Sequence, residues 1–147
     1  TIAYEYDPGY CKTLRQRLQS YPHSVTAACR SFFTDNTTDA DVFTWWSQPP
    51  QLLNEAVLAH LHRLQQSNIV RDGAVAIPLF ELGYDRDKEE FEHLKAFSRA
   101  QHIVKFDEVS GCRKHPSPAV HHLCPRAKGS FGLLEILVSD WRAGKRS

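Results

Sequence analysis

The chain has 147 residues, of which 24% are charged, and a net charge of +1 at neutral pH. This length suits one domain that buries roughly two thirds of its unfolded surface, and no apolar stretch reaches the roughly 18 residues of a membrane span. Lys and Arg are scattered without the basic run typical of nucleic-acid-binding proteins, so neither a membrane span nor a nucleic-acid partner is predicted.

The first half of the chain predicts one strand followed by three helices. Ile2, Tyr4 and Tyr6 alternate as in a short strand, and Asp-Pro-Gly ends it with a turn. Helical spacing of apolar residues recurs in CKTLRQRLQSY, in VTAACRSFF after Ser24 and over about residues 51–67.

The second half predicts strands around a fourth helix. Strands are indicated at 74–82, 103–109 and 131–141, and a helix at 88–100. Pro78 indicates an edge strand or a bulge. Early helices and late strands favour a single α+β domain over residues 1–147, with a small, largely antiparallel sheet packed with about four helices.

The segment CRKHPSPAVHHLC, residues 112–124, combines cysteine and histidine within a loop. Cys112-x2-His115 and His121-x2-Cys124 have zinc-like spacing. Prolines stiffen the loop, however, and a zinc site here would leave the other two cysteines unexplained. We therefore favour disulfides, and predict neither a metal nor a cofactor.

Four cysteines allow two disulfides in three pairings. Cys11–Cys29 with Cys112–Cys124 would join two helices and close a short loop. Cys11–Cys124 with Cys29–Cys112 would instead join the N-terminal helices to that loop.

Several features predict a secreted glycoprotein. The chain begins with Thr1 and contains no Met, as in a mature chain whose leader was removed. Asn36-Thr37-Thr38 is a glycosylation sequon in a polar stretch, and paired cysteines are typical of oxidising compartments.

Acid–base catalysis is an alternative that uses histidines and carboxylates. A histidine titrates near neutral pH, and the candidates are His115, His121 and His122. The carboxylate candidates are Glu81, Glu108 and Glu135, all on predicted strands.

Trp45 and Trp46 are adjacent, so in an extended segment their rings point to opposite sides. One of them could anchor a partner, because exposed Trp is favoured at interaction hot spots. The sequence therefore predicts a secreted, disulfide-stapled binding or effector-type protein that acts on an extracellular partner through its surface. The alternatives are a small secreted, ribonuclease-like hydrolase and an intracellular zinc-stabilised module.

Overall fold

The computed structural model describes residues 1–20, 24–37, 39–47, 52–107 and 128–142. The chain divides into two compact units, Thr1–Thr38 and Asp39–Ser147. The first unit contains β1 (Ile2–Tyr4), α1 (Pro8–Leu18) and β2 (Thr26–Ala28). The second contains β3 (Val42–Trp46), α2 (Leu52–Gln66), β4 (Val75–Glu81), α3 (Asp85–Lys95), β5 (Ala100–Asp107) and β6 (Lys128–Leu137).

Each unit has its own sheet. In the first unit β1 and β2 are parallel, with Tyr4 opposite Ala28. The second unit has a four-stranded sheet in the order β3-β4-β6-β5. Within it β3 and β4 are parallel, whereas β6 is antiparallel to both β4 and β5. Both parallel pairs are joined by a helix, as expected when parallel strands need a crossover connection.

These elements correct the predicted architecture in two respects. The described residues contain three α-helices, not about four, and the sheet is mixed rather than largely antiparallel. The predicted second helix forms β2 and a short 3₁₀ turn, Phe32–Thr34. Pairing with β1 overrides the helical spacing of this segment. The helix was predicted because strand pairing over long range leaves no sign in local periodicity. The prediction of one domain over residues 1–147 stays a prediction.

Local signals explain where α1 begins. The Asp7 carboxylate accepts the Tyr10 N–H at 3.0 Å and caps the helix, and Pro8 occupies the first turn, where no intrahelical N–H bond is needed.

The core of the second unit lies between the sheet and its helices. Phe80, Leu134 and Ile136 are fully buried on one face of the sheet. Phe91 of α3 packs edge-on against Phe80, with ring centroids 5.3 Å apart. Burying each such side chain contributes about 1.5–3 kcal/mol. A Cβ at Gly132 would lie 2.8 Å from Phe91, so this glycine allows α3 to approach β6 closely.

Pro78 lies in an interior strand, β4, whereas the sequence predicted an edge strand or a bulge. Pairing of β4 with β6 runs through Ala76 and resumes at Leu79. The proline, which has no N–H to donate, occupies this interruption.

Among the described residues, no helix combines the length and apolar character needed to cross a membrane.

Candidate functional site

In open sheets of parallel strands, ligands bind outside the carboxyl ends of the strands. The residues that the structure describes form two such places, one in each unit. The first follows β1 and β2 and the second follows β3 and β4. Polar side chains are organised at both.

At the carboxyl end of β1, Glu5 is the first residue beyond the strand. Its N–H still donates to the Ala28 carbonyl at 3.0 Å, which fixes its backbone beside the end of β2. The half-buried Glu5 carboxylate accepts the Asp7 N–H at 3.1 Å. Since Asp7 caps α1, one short run of residues connects the strand end, an acidic side chain and the start of the helix.

Asp35 organises the remainder of the first unit. Its buried carboxylate accepts the Tyr4 hydroxyl at 2.6 Å and pairs with the Arg30 guanidinium at 2.8 Å. Thr37 donates both its backbone N–H and its hydroxyl to the other carboxylate oxygen. These donors, Tyr4 foremost and then Arg30, hold the pKa of Asp35 well below its usual range.

The first unit also contains a disulfide between Cys11 of α1 and Cys29, the residue after β2. Cys11 is buried and Cys29 is exposed. Cys29 lies beside Arg30, so the disulfide and the Asp35 cluster share the segment that follows β2.

The second strand end is organised by a neutral side chain, Asn54 of α2. Its carbonyl oxygen accepts the Trp45 indole N–H at 2.8 Å, and its amide donates to the Ser47 hydroxyl at 2.8 Å. A longer contact of 3.5 Å reaches the Glu90 carboxylate on α3. Asn54 is fully buried. It therefore ties the end of β3 to α2 and α3.

Trp46 differs from its neighbour. Its side chain is about half exposed, and its ring packs edge-on against Phe131 of β6 at 5.5 Å. Trp45 is half-buried and hydrogen-bonded to Asn54. The two rings thus have different environments, and a binding role for either one stays a prediction.

The carboxylates proposed for catalysis lie apart in the sheet. Glu81 is exposed at the end of β4, opposite Phe131. Glu135, in the middle of β6, contacts His102 at 3.3 Å and Arg99 at 3.5 Å. His115, His121, His122 and Glu108 lie outside the described residues, as do Cys112 and Cys124. Asn36 is exposed next to Asp35.

Sequence reasoning missed Glu5, Asp35 and Asn54. The run Glu5-Tyr6-Asp7-Pro8-Gly9 was interpreted as a strand end and a turn, although an acid directly after a strand and before a helix was already visible. Asp35 and Asn54 carried no such signal, since their partners are brought together by the fold. No cluster of three or more His, Cys, Asp or Glu suited to a metal ion occurs within the described ranges.

No protein-family model and no curated protein matches this sequence. Solved structures do. Precorrin-8w decarboxylase from Methanobacterium thermoautotrophicum is 15% identical with a TM-score of 0.52, over 90% of this chain and 68% of that chain. The fold is Rossmann-like. At this identity the likeness extends to the fold alone.

Two further structures match less well. The 23S rRNA methyltransferase ErmE is 14% identical, with a TM-score of 0.43, over 97% of this chain and 52% of that chain. An S-adenosylmethionine-dependent methyltransferase from Clostridium acetobutylicum ATCC 824 is 13% identical, with a TM-score of 0.41, over 74% and 42%. The chain thus spans about half the length of ErmE.

The predicted function was wrong. A secreted binding or effector-type protein is contradicted by the matched solved structures, which are enzymes with a Rossmann-like fold. The descriptions as an effector and a glycoprotein find no support there either, nor do the ribonuclease-like and zinc-module alternatives. A missing catalytic motif and an even number of cysteines do not identify a fold, so neither feature indicates the function of this chain. The compartment of the chain stays a prediction.

The predicted partners were also wrong. The sequence predicted an extracellular partner and disfavoured nucleic acid, whereas the matched structures include an rRNA methyltransferase. A net charge near zero is weak evidence against a nucleic-acid partner, because a local basic patch leaves the net charge of a balanced chain almost unchanged.

Proposed function

We propose that this chain is a methyltransferase-like enzyme domain that binds a nucleoside cofactor of the S-adenosylmethionine class at the carboxyl ends of β1 and β2. The fold supports this proposal because Rossmann-like sheets bind their cofactors at such strand ends. A fold alone does not determine a function, so the proposal depends on the residues at this end.

The observation that carries the proposal is the position of Glu5. It directly follows the first strand of a parallel β–α–β unit, at the carboxyl end where Rossmann-like folds bind their ligands. The backbone bond to Ala28 and the contact with the Asp7 N–H hold its carboxylate in place. A carboxylate has about four acceptor positions, so one bond to Asp7 leaves capacity for a pair of ribose hydroxyls.

Binding of S-adenosylhomocysteine, measured by titration calorimetry, tests the proposal. We expect one site per chain in the wild type and an affinity about tenfold lower in Glu5→Gln, because hydrogen bonds to a charged group contribute about 1.5–3 kcal/mol. The amide keeps the size of the side chain and removes its charge.

Glu89→Gln is the matched control, since Glu89 is an exposed glutamate on α3 in the other unit. Its affinity should equal that of the wild type. Absence of binding by a folded wild-type chain would overturn the proposal. So would tighter binding of a nicotinamide dinucleotide, which would indicate a different class of enzyme.

A further inference from the structure

We propose that the Cys11–Cys29 disulfide is a thiol–disulfide exchange site whose redox state controls the docking of α1, and through α1 the affinity of the nucleoside site. The second part of this inference rests on the proposed function. Its first part stands on the packing of α1 alone.

Helix α1 has little apolar contact to hold it in place. It has eleven residues, and Cys11 is the buried one among them. Leu14 and Leu18 are half-buried, while its Lys and Arg side chains are exposed. Isolated helices of fewer than about 12–15 residues are marginal in water. The covalent link from Cys11 to Cys29 is therefore a main attachment of this helix to β2.

The two cysteines differ in accessibility. Cys29 is exposed beyond the end of β2. Cys11, within α1, is buried and exposes 3% of its surface. Because Cys29 is the exposed residue of the pair, we expect an incoming thiolate to attack at Cys29. Access of this kind is one of the factors that set the rate of exchange.

The reaction needs a dithiol reductant, such as a thioredoxin-like protein or dithiothreitol. One thiolate of the dithiol attacks the Cys29 sulfur, the Cys11–Cys29 bond breaks, and Cys11 leaves as a thiolate that takes up a proton. The second thiol of the reductant then displaces Cys29 from the mixed disulfide. The reductant is oxidised to a disulfide, and the chain gains two electrons and two protons as two thiols.

Loss of this link would propagate to Glu5 by a short path. The helix begins at its cap, Asp7, and the Asp7 N–H donates to the Glu5 carboxylate. When α1 separates from β2, the cap moves with it and Glu5 loses the partner that orients its side chain. The nucleoside site is thus competent in the oxidised state and weakened in the reduced state.

The experiment uses a background with Cys112→Ser and Cys124→Ser, so that Cys11 and Cys29 are the remaining cysteines. Hydrogen–deuterium exchange is measured before and after treatment with dithiothreitol. We expect α1 amides to lose protection by about tenfold or more, since the disulfide closes a loop between residues separated by 18 positions and so restricts the unfolded chain. Amides of α3 should be unchanged, and reoxidation should restore α1.

Affinity for S-adenosylhomocysteine is measured on the same samples, and we expect it to fall at least about fivefold on reduction. Cys29→Ser is the matched control: it should behave like the reduced chain and should not respond to dithiothreitol. Equal α1 protection in the two redox states would overturn the inference. Equal affinity despite a loss of protection would overturn its second part.

The two proposals can fail separately. If neither redox form binds S-adenosylhomocysteine, the proposed function fails, and the exchange of α1 amides still decides whether the disulfide docks the helix. If both forms bind equally and α1 keeps its protection, the proposed function stands and the redox inference fails.

Discussion

The two parallel strand ends of this chain are stabilised by opposite kinds of chemistry. In the first unit a charged carboxylate, Asp35, collects donors from Tyr4, Arg30 and Thr37. In the second unit a neutral amide, Asn54, joins the end of β3 to α2 and α3. Each central side chain is buried, but the Arg30 side chain is 55% exposed to solvent.

This difference indicates what each region should respond to. The stability that a carboxylate such as Asp35 provides depends on pH, because its hydrogen bonds require it to be ionised. A buried amide does not titrate, but removing it leaves polar partners without bonds in a dry environment. The same topological position can therefore be stabilised electrostatically in one unit and by packing with neutral hydrogen bonds in the other.

Asn54→Leu should have the largest effect. The leucine cannot accept the Trp45 indole N–H or donate to Ser47, and unsatisfied buried groups cost about 1–3 kcal/mol each. We expect the free energy of unfolding of the second unit to fall by about 3 kcal/mol. Urea unfolding followed by tryptophan fluorescence measures it, since all three tryptophans belong to this unit.

The control for that variant is Gln66→Leu, at the exposed end of α2. It should change the stability by less than about 0.5 kcal/mol. A loss below about 1 kcal/mol in Asn54→Leu would mean that the amide is not the centre of this strand end.

Asp35→Asn should come next, at about 2 kcal/mol, because the new NH₂ group would face the donors of Tyr4 and Arg30. Protection of the β1 and β2 amides against hydrogen exchange reports this local stability. Asp72→Asn, in an exposed turn, should leave that protection unchanged. Similar protection of the β1 and β2 amides in Asp35→Asn and Asp72→Asn would mean that Asp35 does not stabilise this strand end.

Lowering the pH should destabilise the first unit, which depends on the ionised Asp35, more than the strand end organised by Asn54. The folded-state pKa of Asp35 lies below its usual value of 3.8, so its stabilisation is present above about pH 4 and is lost as the pH falls toward the folded-state value. Protection of β1 and β2, corrected for intrinsic exchange, should therefore decrease from about pH 5 to about pH 3. A wild-type profile as flat as that of Asp35→Asn would contradict this.

Tyr4→Phe should have the smallest effect, about 1.5 kcal/mol, because it removes one hydrogen bond to a charged carboxylate. The ring and its edge-on contact with Phe32 at 5.4 Å are retained, so the loss measures the hydroxyl alone. Tyr10→Phe is the matched control because Tyr10 is exposed. If both variants lose the same protection, the Tyr4 bond to Asp35 contributes nothing specific.

The sequence predicted the elements that local patterns determine. The apolar stripe of α2 includes Val57, Leu61 and Leu64, which are buried, and the helix is followed by Asn68 and Gly73 with positive φ. Both residue types tolerate that conformation. The strand predicted at 131–141 overlaps β6 (Lys128–Leu137), which lies between β4 and β5.

Long-range pairing accounts for what the sequence did not predict. Thr26–Ala28 is a strand because β1 lies beside it, and nothing in the local spacing of apolar residues records that neighbour. The candidate site was missed for the same reason. Glu5 gains significance when β1 and β2 are known to be parallel, since only then does it lie at a shared carboxyl end.

The most direct test of the central claim is an NMR titration of the chain with S-adenosylhomocysteine. We predict saturable shifts of backbone amides at the end of β1, especially Glu5 and Tyr6, and in the segment after β2 near Cys29, with weaker shifts in Glu5→Gln. Shifts confined to residues of the second unit, or no saturable shift at all, would contradict a nucleoside site at this strand end.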